Sequence, residues 1–577
     1  MLIEAFQPLD APVPDDLTVP QFFLDPYDHP LRPPRPDDVT LFIDGSTGQK
    51  VSWAEARQRT AALANGMHLQ WEIKEDEAVC VFSPNHVDYL TVVWAIHRLG
   101  GVVSSSNPTY TTDELVHQLK ITKVTTVFVH PAFLKTVRDA CQKLGIPDDR
   151  IALISPAPPS QSHLSVDDLI AKGSQKEQSF VERRLSPGEA KTKLAFFVLS
   201  SGTTGPPKAV AIPHYSLIVN VIQIASHDIL RPGIPPENKK TTPGSVMTGV
   251  LPFFHIYGLI SNVHSMIFHA VPIVVHAKFA FQEFLDSIVR HKITHLMVVP
   301  PMIVLLCKHP LVKKYDLSHV RFLNSGAAPL SPELLGPLRE VLPNAIISQG
   351  YGMTETATAV TMTPITERLC KPGSAGHLVP GVKMRIVKED GTLAKFGERG
   401  ELIVYSPSNA VGYYGNDKAT KETFIDGWVR TGDEVEYTES GDLYVVDRLK
   451  DLIKVRGFQV APAELEGHLL DHPAVADVCV VPVPDDYSGE LPFAFVMLHA
   501  EAAKRVSDPK EAVALKKALE KHVSDVKIKY KWLTGGIEFT DTIPKNASGK
   551  LLRRLLKDKA KQLRKEALAE AAPRAKL

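Results

Sequence analysis

Short apolar runs that alternate with amphipathic segments are the feature of this sequence that most constrains its fold. Residues 78–82 and 126–129 are apolar and short enough to be buried strands, and residues 87–98 and 112–120 carry apolar side chains at helical spacing. Repeated strand-then-helix units favour parallel strands with helices on both faces of the sheet. The alternation therefore predicts an α/β fold built on doubly wound sheets.

The length of the chain requires more than one domain. A single hydrophobic core stops growing near roughly 250–300 residues, and this chain has 577. From about residue 383 short strands and glycine turns replace the alternation, which predicts a β-barrel-like subdomain. We predict that residues 1–449 form a large N-terminal adenylation-type domain and residues 450–577 a small, mobile α+β C-terminal domain. Nine prolines between residues 8 and 36 predict an extended arm without helix or strand.

Charge and composition exclude several classes of protein. The 65 Lys and Arg residues balance 65 Asp and Glu residues, so there is no global basic field that would bind nucleic acid. The five cysteines lie far apart without CxxC pairs, which indicates free thiols in a reducing compartment. We expect neither a secretory signal nor a membrane helix, since no run reaches the ~18 apolar residues that a membrane helix needs. Small-molecule chemistry is the expectation that remains.

A glycine- and hydroxyl-rich segment follows the apolar run at residues 194–200. Glycines let backbone N–H groups converge on a polyphosphate, while hydroxyl groups and a lysine add donors and positive charge. The spacing differs from a Walker A loop, because two residues separate the glycines and two prolines precede the lysine. Taken alone, an ordinary hairpin turn explains the segment equally well. Its residues are Ser200, Ser201, Gly202, Thr203, Thr204, Gly205, Pro206, Pro207 and Lys208.

This segment resembles the signature of the adenylate-forming (AMP-binding) superfamily of acyl-CoA synthetases, coumarate-CoA ligases, beetle luciferases and peptide-synthetase adenylation domains. Further motifs of that superfamily follow in the same order over most of the chain. The resemblance implies an AMP-forming acyl-CoA synthetase, an acid–thiol ligase that joins a carboxylic acid to AMP and then to coenzyme A. It also implies ATP, Mg²⁺ and coenzyme A as the small molecules that the enzyme uses.

Residues 324–330 and 349–356 resemble the adenine-binding blocks of the superfamily. The resemblance implies that small residues in the first block let the purine lie flat against the backbone. In the second block it implies that Tyr351 stacks on adenine, Thr354 hydrogen-bonds the α-phosphate and Glu355 holds Mg²⁺, which prefers carboxylate and phosphate oxygens. Read alone, the second block predicts only a turn followed by a helix N-cap.

Residues 431–433 and 445–448 resemble the ribose-binding segments of the superfamily. The resemblance implies that Asp433 binds the ribose hydroxyls and that Arg448 contacts ribose and phosphate, although a surface charge explains either residue in isolation. The complete set of ATP- and AMP-binding residues implied by the resemblance is Ser200, Ser201, Gly202, Thr203, Thr204, Gly205, Lys208, Gly326, Ala327, Ala328, Gln349, Gly350, Tyr351, Gly352, Met353, Thr354, Asp433, Val445, Arg448 and Lys450.

Two lysines of the C-terminal region and one histidine complete the mechanism that the resemblance implies. Lys550 bridges the substrate carboxylate and the α-phosphate, and His255 stands between the acyl pocket and the pantetheine tunnel. Rotation about Lys450 withdraws Lys550 and presents a second face for the thioester step. The residues of that face are Lys454, Gly457, Phe458 and Gln459. The catalytic set is Lys550, His255, Thr354 and Glu355, and the metal ligand is Glu355.

The acyl pocket implied by the resemblance mixes apolar and small residues. This mixture favours an aryl acid of the cinnamate or phenylacetate type, or a medium-chain fatty acid. Two related alternatives stay open: an adenylating enzyme that loads a separate carrier protein, and a luciferase-like oxygenase. A non-catalytic AMP sensor is expected to lack Lys550 or Glu355, and both are present. The pocket residues are Tyr257, Gly258, Ser261, Met302, Gly326, Gly350 and Val360.

The last three residues differ at one position from a peroxisomal address. Ala575, Lys576 and Leu577 stand where the import receptor binds Ser-Lys-Leu. The tripeptide therefore predicts a peroxisomal protein with the import receptor as partner. If the match is accidental, a cytoplasmic location is expected.

Overall fold

The computed structural model describes residues 2–155, 162–200, 207–229, 240–456, 458–485, 487–546 and 549–571. The chain forms two compact units. The first comprises Met1–Arg385, Ile403–Thr431 and Thr438–Leu443, and the second comprises Ile386–Leu402, Gly432–Tyr437 and Tyr444–Leu577. The boundary predicted after Leu449 falls inside the last of these ranges, and a hinge at that point stays a prediction.

Strands and helices alternate through the first half of the chain. The strands are β1 (Leu2–Glu4), β2 (Thr40–Asp44), β3 (Lys50–Ser52), β4 (Ala78–Phe82), β5 (Val102–Ser106), β6 (Val124–Val129), β7 (Ile151–Leu153), β8 (Leu194–Ser200), β9 (Lys208–Pro213), β10 (Met247–Gly249), β11 (Ile273–Val275), β12 (His295–Val298), β13 (Phe322–Ser325), β14 (Ile346–Met353), β15 (Thr358–Met362), β16 (His377–Leu378), β17 (Lys383–Val387), β18 (Arg399–Tyr405), β19 (Gly412–Tyr413), β20 (Phe424–Ile425), β21 (Trp428–Tyr437), β22 (Leu443–Arg448), β23 (Ile453–Val455), β24 (Phe458–Val460), β25 (Val475–Asp485), β26 (Gly489–Leu498) and β27 (Gly536–Phe539). The α-helices are α1 (Val19–Phe23), α2 (Trp53–Trp71), α3 (Tyr89–Arg98), α4 (Thr112–Ile121), α5 (Leu134–Leu144), α6 (Val166–Ser174), α7 (His214–Ile229), α8 (Ser265–Phe268), α9 (Phe281–Arg290), α10 (Pro300–Lys308), α11 (Leu335–Val341), α12 (Asp417–Thr423), α13 (Pro462–Leu470), α14 (Ala500–Arg505), α15 (Pro509–Ser524) and α16 (Arg553–Ala571).

Two large sheets form the framework of the first unit. One has the strand order β19-β9-β8-β5-β4-β6-β7, and the other has the order β16-β15-β14-β13-β12-β10-β11-β2-β3. Strands β8, β5, β4, β6 and β7 are parallel, as are β14, β13, β12, β10, β11 and β2, and antiparallel strands lie at the edges. The predicted α/β fold with doubly wound sheets is confirmed.

Helix α3 shows why the first unit holds together. Every side chain from Tyr89 to Arg98 is buried, as expected for a helix that is apolar on all sides. Trp94 belongs to the same core cluster as Val79 of β4, and its ring lies 6.5 Å from that of Phe42 in β2. A helix packed between both sheets fixes where their strands end, and those ends carry the candidate site.

The N-terminal arm differs from the prediction at one point. Residues of α1 form a short buried helix, in which the N–H of Thr18 donates to Oε1 of Gln21 at 3.1 Å. Pro20 is tolerated there because an N–H in the first turn of a helix has no helical partner. The rings of Phe22 and Phe23 are fully buried with centroids 4.8 Å apart. The prediction of a wholly extended arm is therefore wrong for this turn.

Two smaller sheets follow. A six-stranded sheet has the order β1-β17-β18-β21-β20, with β22 paired to β21, in the region predicted to be barrel-like. In the C-terminal part, a five-stranded sheet of β24, β23, β26, β25 and β27 packs with α13, α15 and α16 around a separate core that includes Leu465, Phe495, Leu519 and Ala560. The predicted small α+β domain is confirmed. Within the described ranges no helix combines the length and apolar character needed to span a bilayer.

Candidate active site

The predicted phosphate loop is held at both ends by antiparallel strands. Ser200 ends β8, Lys208 begins β9, and the two residues are paired across the strands. Ser201, Gly202, Thr203, Thr204 and Gly205 lie outside the described residues. Oγ of Ser200 is buried and has no hydrogen-bond partner among the described atoms, so a hydroxyl is available at the base of the loop.

Tyr413 connects two predicted site residues. Its hydroxyl donates a hydrogen bond to Oε1 of Glu355 at 2.8 Å, and Nζ of Lys208 lies 4.2 Å from the centroid of its ring. Strand β19 places the tyrosine there by pairing Tyr413 with Val210 of β9. Glu355 is buried, with an exposed fraction of 6%. A carboxylate and an ammonium group therefore lie on opposite sides of one aromatic side chain.

The side chain of Gln349 joins the two predicted adenine-binding blocks. Its Oε1 accepts the N–H of Leu330 at 2.7 Å, and its Nε2 donates to the carbonyl of Ser374 at 2.8 Å. The turn bounded by Leu330 contains Gly326, Ala327 and Ala328 and follows β13, which is parallel to β14. Ala327 has a φ of 68°, in the left-handed region. The structure thus brings the two blocks together as predicted.

The glycines of the second block are required by the backbone itself. A Cβ on Gly352 would lie 1.6 Å from the carbonyl oxygen of Thr358, and a Cβ on Gly350 would lie 3.0 Å from that of Thr361. The hairpin of β14 and β15 turns through a short 3₁₀ helix, Thr354–Thr356, with Thr354 buried. Tyr351 and Met353 are partly buried at the end of β14.

Strain is concentrated in the same turn. Thr358 has a φ of 103°, which is costly for a β-branched residue. Its Oγ1 donates to the carbonyl of Ile256 at 3.3 Å, which ties the turn to the segment that contains His255. Such backbone outliers cluster at functional sites.

His255 precedes an unusual helix. Its Nδ1 accepts the N–H of Tyr257 at 3.3 Å, so its proton is on Nε2 in the neutral form. Residues Tyr257–His264 form a π-helix, a rare element that is frequent at functional sites. His255 is partly buried, which suits a side chain that has to reach both protein and substrate.

Tyr257 forms a rigid wall. Its hydroxyl accepts a hydrogen bond from the Asn324 amide at 2.8 Å and donates to the Asn324 carbonyl at 3.3 Å. Burial raises the pKa of Tyr257 far above its usual range, so the phenol stays neutral. A Cβ on Gly326 would lie 2.7 Å from Cζ of this ring. Of the other predicted pocket residues, Gly258 and Ser261 are on the π-helix, and Met302 and Val360 are buried on α10 and β15.

In the second unit, Asp433 and Arg448 lie together. Nε of Arg448 is 3.1 Å from Oδ1 of Asp433, and Asp433 is 3% exposed. The N–H of Leu449 donates to the carbonyl of Gly432 at 3.0 Å. Val445 is on the same strand as Arg448, and Lys450 follows directly after it. The two residues predicted to bind ribose are therefore neighbours in space.

The predicted thioester face is a hairpin. Lys454 and Gln459 are paired across β23 and β24, and both are exposed. Phe458 is 56% exposed and stacks on Tyr530, with centroids 4.7 Å apart and an interplanar angle of 14°. Gly457 lies outside the described residues.

Lys550 sits in a loop closed by Asn546. The Oδ1 of Asn546 accepts the N–H of Lys550, and the N–H of Asn546 donates to the carbonyl of Lys550, both at 2.9 Å. Three residues later, the guanidinium of Arg553 forms an ion pair with both carboxylate oxygens of Glu466. The start of α16 is therefore anchored to α13, which fixes one end of the lysine loop.

Comparison with known families decides the identity. The family model described as AMP-binding enzyme matches residues 33–414, and the one described as AMP-binding enzyme C-terminal domain matches residues 464–550. The chain belongs to the AMP-binding enzyme family. The resemblance inferred from the motifs is confirmed.

The relatives of this AMP-binding enzyme are acyl-CoA ligases. The acyl-CoA ligase AFT1-1 of Alternaria alternata is 34% identical and covers 96% of both chains. Probable 4-coumarate–CoA ligase 2 of Dictyostelium discoideum is 35% identical over 91% of this chain and 93% of its own. The structure of o-succinylbenzoate CoA synthetase from Bacillus subtilis with its acyl-adenylate intermediate is 26% identical, with a TM-score of 0.72 over 90% of this chain and 96% of that one. These findings confirm the predicted enzyme class, an AMP-forming acid–thiol ligase.

Tyr413 is the site residue that the sequence analysis missed. No charge pattern or motif weighed there includes the Gly412–Tyr413 pair. The signal lies in the pairing of β19 with β9, which becomes visible only once the sheet is formed.

Proposed function

We propose that this AMP-binding enzyme converts an aryl or medium-chain carboxylic acid into its coenzyme A thioester through an acyl-AMP intermediate. The observation that carries the proposal is the contact chain from Glu355 through Tyr413 to Lys208. It combines a carboxylate suited to a metal–phosphate complex with a cation suited to pyrophosphate, beside the ends of the predicted phosphate loop.

The first half-reaction activates the acid. A carboxylate is a poor electrophile, so one of its oxygens attacks the α-phosphorus of ATP, and the bond from that phosphorus to the bridging oxygen breaks to release pyrophosphate. Negative charge accumulates on phosphate oxygens, and fixed cations and donors lower its energy. In the roles that the family resemblance implies, Lys550 and Thr354 serve the reacting oxygens and Lys208 serves the leaving group.

The residues present fit Mg²⁺. Within the described residues no group of three or more His, Cys, Asp or Glu side chains could hold a metal by itself. Glu355 is instead a single buried carboxylate, and Mg²⁺ in enzymes of this kind takes one or two carboxylates together with substrate phosphates. When bound there, the ion would neutralise charge on the phosphates.

The second half-reaction transfers the acyl group. The coenzyme A thiolate attacks the carbonyl carbon, a carbon–sulfur bond forms, and AMP leaves with the pair of electrons from the broken carbon–oxygen bond. A lysine that covers the carboxylate in the first step would obstruct the second. Rotation about Lys450, which replaces Lys550 by the face of Lys454 and Gln459, resolves this conflict.

Tyr257 and Gly326 support the choice of an aryl or medium-chain acid. The Tyr257 ring is fixed by Asn324, and the absence of a side chain at Gly326 leaves room for a flat group beside it. A flat apolar slot favours an aromatic ring or an extended chain over a compact polar acid.

A panel of acids with ATP, Mg²⁺ and free coenzyme A tests the proposal. We expect mass-detected CoA thioesters from cinnamate- or phenylacetate-type acids or from medium-chain fatty acids, and much less product from acetate. Gly326→Ala should lower kcat/KM for the ring-bearing acids more than for short ones. Thioester only with a carrier protein, or products of adenylate oxidation, would favour the two related alternatives instead.

We also propose that Ala575, Lys576 and Leu577 direct the protein to peroxisomes. These residues lie outside the described ones, so the sequence alone supports the proposal. A fluorescent fusion at the N-terminus should be peroxisomal, and removal of the three residues should make it diffuse. The same distribution for both would exclude this signal.

A further inference from the structure

A buried carboxylate outside the proposed catalytic set lies behind the adenine-binding blocks. Asp442 is 1% exposed. Its Oδ2 is 2.6 Å from Nζ of Lys371 and accepts the Ser440 hydroxyl at 2.8 Å, and its Oδ1 accepts the Ser374 hydroxyl at 2.9 Å. Burying a charge is costly, and a well-packed apolar residue would often serve stability as well. The carboxylate therefore calls for an explanation beyond stability.

Asp442 holds the short segment that follows Lys371. The Ser374 hydroxyl donates to Asp442 and also accepts the N–H of Gly376 at 3.0 Å. Beside it, the N–H of Ala375 donates to the carbonyl of Leu443 at 2.7 Å. The position of the Ser374 carbonyl is thus fixed from both sides.

That carbonyl orients Gln349. Its oxygen accepts from Nε2 of Gln349 at 2.8 Å, which leaves Oε1 to accept the N–H of Leu330 at 2.7 Å. Gln349 is 4% exposed, so water cannot readily replace either partner. A flipped amide would place an NH₂ group against the N–H of Leu330, and a displaced Ser374 would remove the reason for the present orientation.

We propose that Asp442 is a positioning residue of the nucleotide site: through Ser374 and Gln349 it fixes the turn at residues 326–330 relative to β14, and thereby sets the affinity for the adenine of ATP. This inference rests on the proposed function, since that function assigns the turn to adenine. The role is distinct from catalysis, because Asp442 acts through other side chains.

The charge of Asp442 is maintained by its neighbours. Burial alone would raise the pKa of the carboxyl, but hydrogen bonds from Lys371, Ser440 and Ser374 outweigh it and lower the pKa. Asp442 therefore stays ionised at neutral pH, and a neutral residue there loses an acceptor that all three donors use.

The test is ATP binding measured by calorimetry without acid or coenzyme A. Asp442→Ala should weaken ATP binding about tenfold, the loss typical of one hydrogen bond to a charged group. In turnover assays, KM for ATP should rise by a similar factor, while KM for the acid at saturating ATP stays within about twofold. Ser440→Ala, which removes a partner of Asp442 outside the path to Gln349, should bind ATP like the wild type.

Two comparisons make the test decisive. Ser374→Ala should weaken ATP binding, and Asp442→Ala combined with it should be no worse than the weaker single variant, because both break one path. Multiplying effects, or wild-type affinity in Asp442→Ala, would overturn the inference. If Asp442→Ala fails to fold, Asp442→Asn and Ser374→Ala carry the same comparison. Failure of the proposed function would look different: the wild type would bind ATP but form no acyl-AMP.

Discussion

Tyr413→Phe is the substitution that most directly tests the geometry of the active site. It removes the hydroxyl that donates to Oε1 of Glu355 at 2.8 Å, and it leaves the ring that lies 4.2 Å from Nζ of Lys208. The backbone pairing of β19 with β9 is unaffected, because it uses main-chain atoms. The variant therefore isolates one hydrogen bond to one carboxylate.

The size of the effect follows from the burial of that carboxylate. Glu355 is 6% exposed, so water cannot fully replace the lost donor. A hydrogen bond to a charged group contributes about 1.5–3 kcal/mol, which corresponds to a loss of about 10- to 100-fold in rate. The loss should fall on acyl-AMP formation, since Glu355 is placed to serve the phosphates of ATP.

The assay compares two half-reactions in two variants. Pyrophosphate exchange measures adenylation, and CoA thioester formation from supplied acyl-AMP measures the second step. Tyr414→Phe is the matched control, because the neighbouring Tyr414 packs its ring on Phe197 at 4.5 Å and is not a partner of Glu355. Exchange within twofold of the wild type in Tyr413→Phe, or an equal loss in Tyr414→Phe, would refute the role assigned to the hydroxyl.

Three further predictions concern Lys550, His255 and Asp447. Lys550→Ala should lower adenylation by about 100-fold or more but leave thioester formation from supplied acyl-AMP largely intact; comparable losses in both steps would contradict the two-face mechanism. His255→Ala should slow thioester formation, and unchanged rapid-quench kinetics in both half-reactions would remove it from the site. Burial raises the pKa of Asp447 from 3.8 to about 6 although Arg553 opposes the shift, so the stability of the protonated form is present below pH 3.8 and is lost as the pH rises through 6. Calorimetry should therefore find Asp447→Asn more stable than the wild type at pH 8, by at most about 3 kcal/mol, with the difference vanishing towards pH 4.

The strand–helix alternation could be predicted because its signal is local. Residues 78–82 form β4 as expected, and the helix predicted over 112–120 is α4, whose N-terminus is capped by Thr111 and Glu114. Each of these elements is specified by apolar spacing and by caps within a few residues of it. The proline-rich arm was harder, since the burial of Phe22 and Phe23 in α1 depends on tertiary packing rather than on local propensity.

The contacts within the candidate site could not be predicted in the same way. Tyr413 meets Glu355 across 58 positions of sequence, and Gln349 meets Ser374 across 25. Such pairs follow from sheet order, which no local pattern encodes. The role of the glycines was also only partly visible: the sequence analysis related small residues to space for a purine, whereas Gly352 is required by the carbonyl of Thr358.

Exchange of labelled pyrophosphate into ATP is the measurement that tests the account most directly. Purified protein with Mg²⁺ and an acid from the responsive class should incorporate label into ATP without coenzyme A, and omission of the acid should abolish the exchange. Lys550→Ala should show none above background. Absence of acid-dependent exchange with every aryl and medium-chain acid tested, in protein that binds ATP, would contradict the acyl-AMP mechanism proposed for this chain.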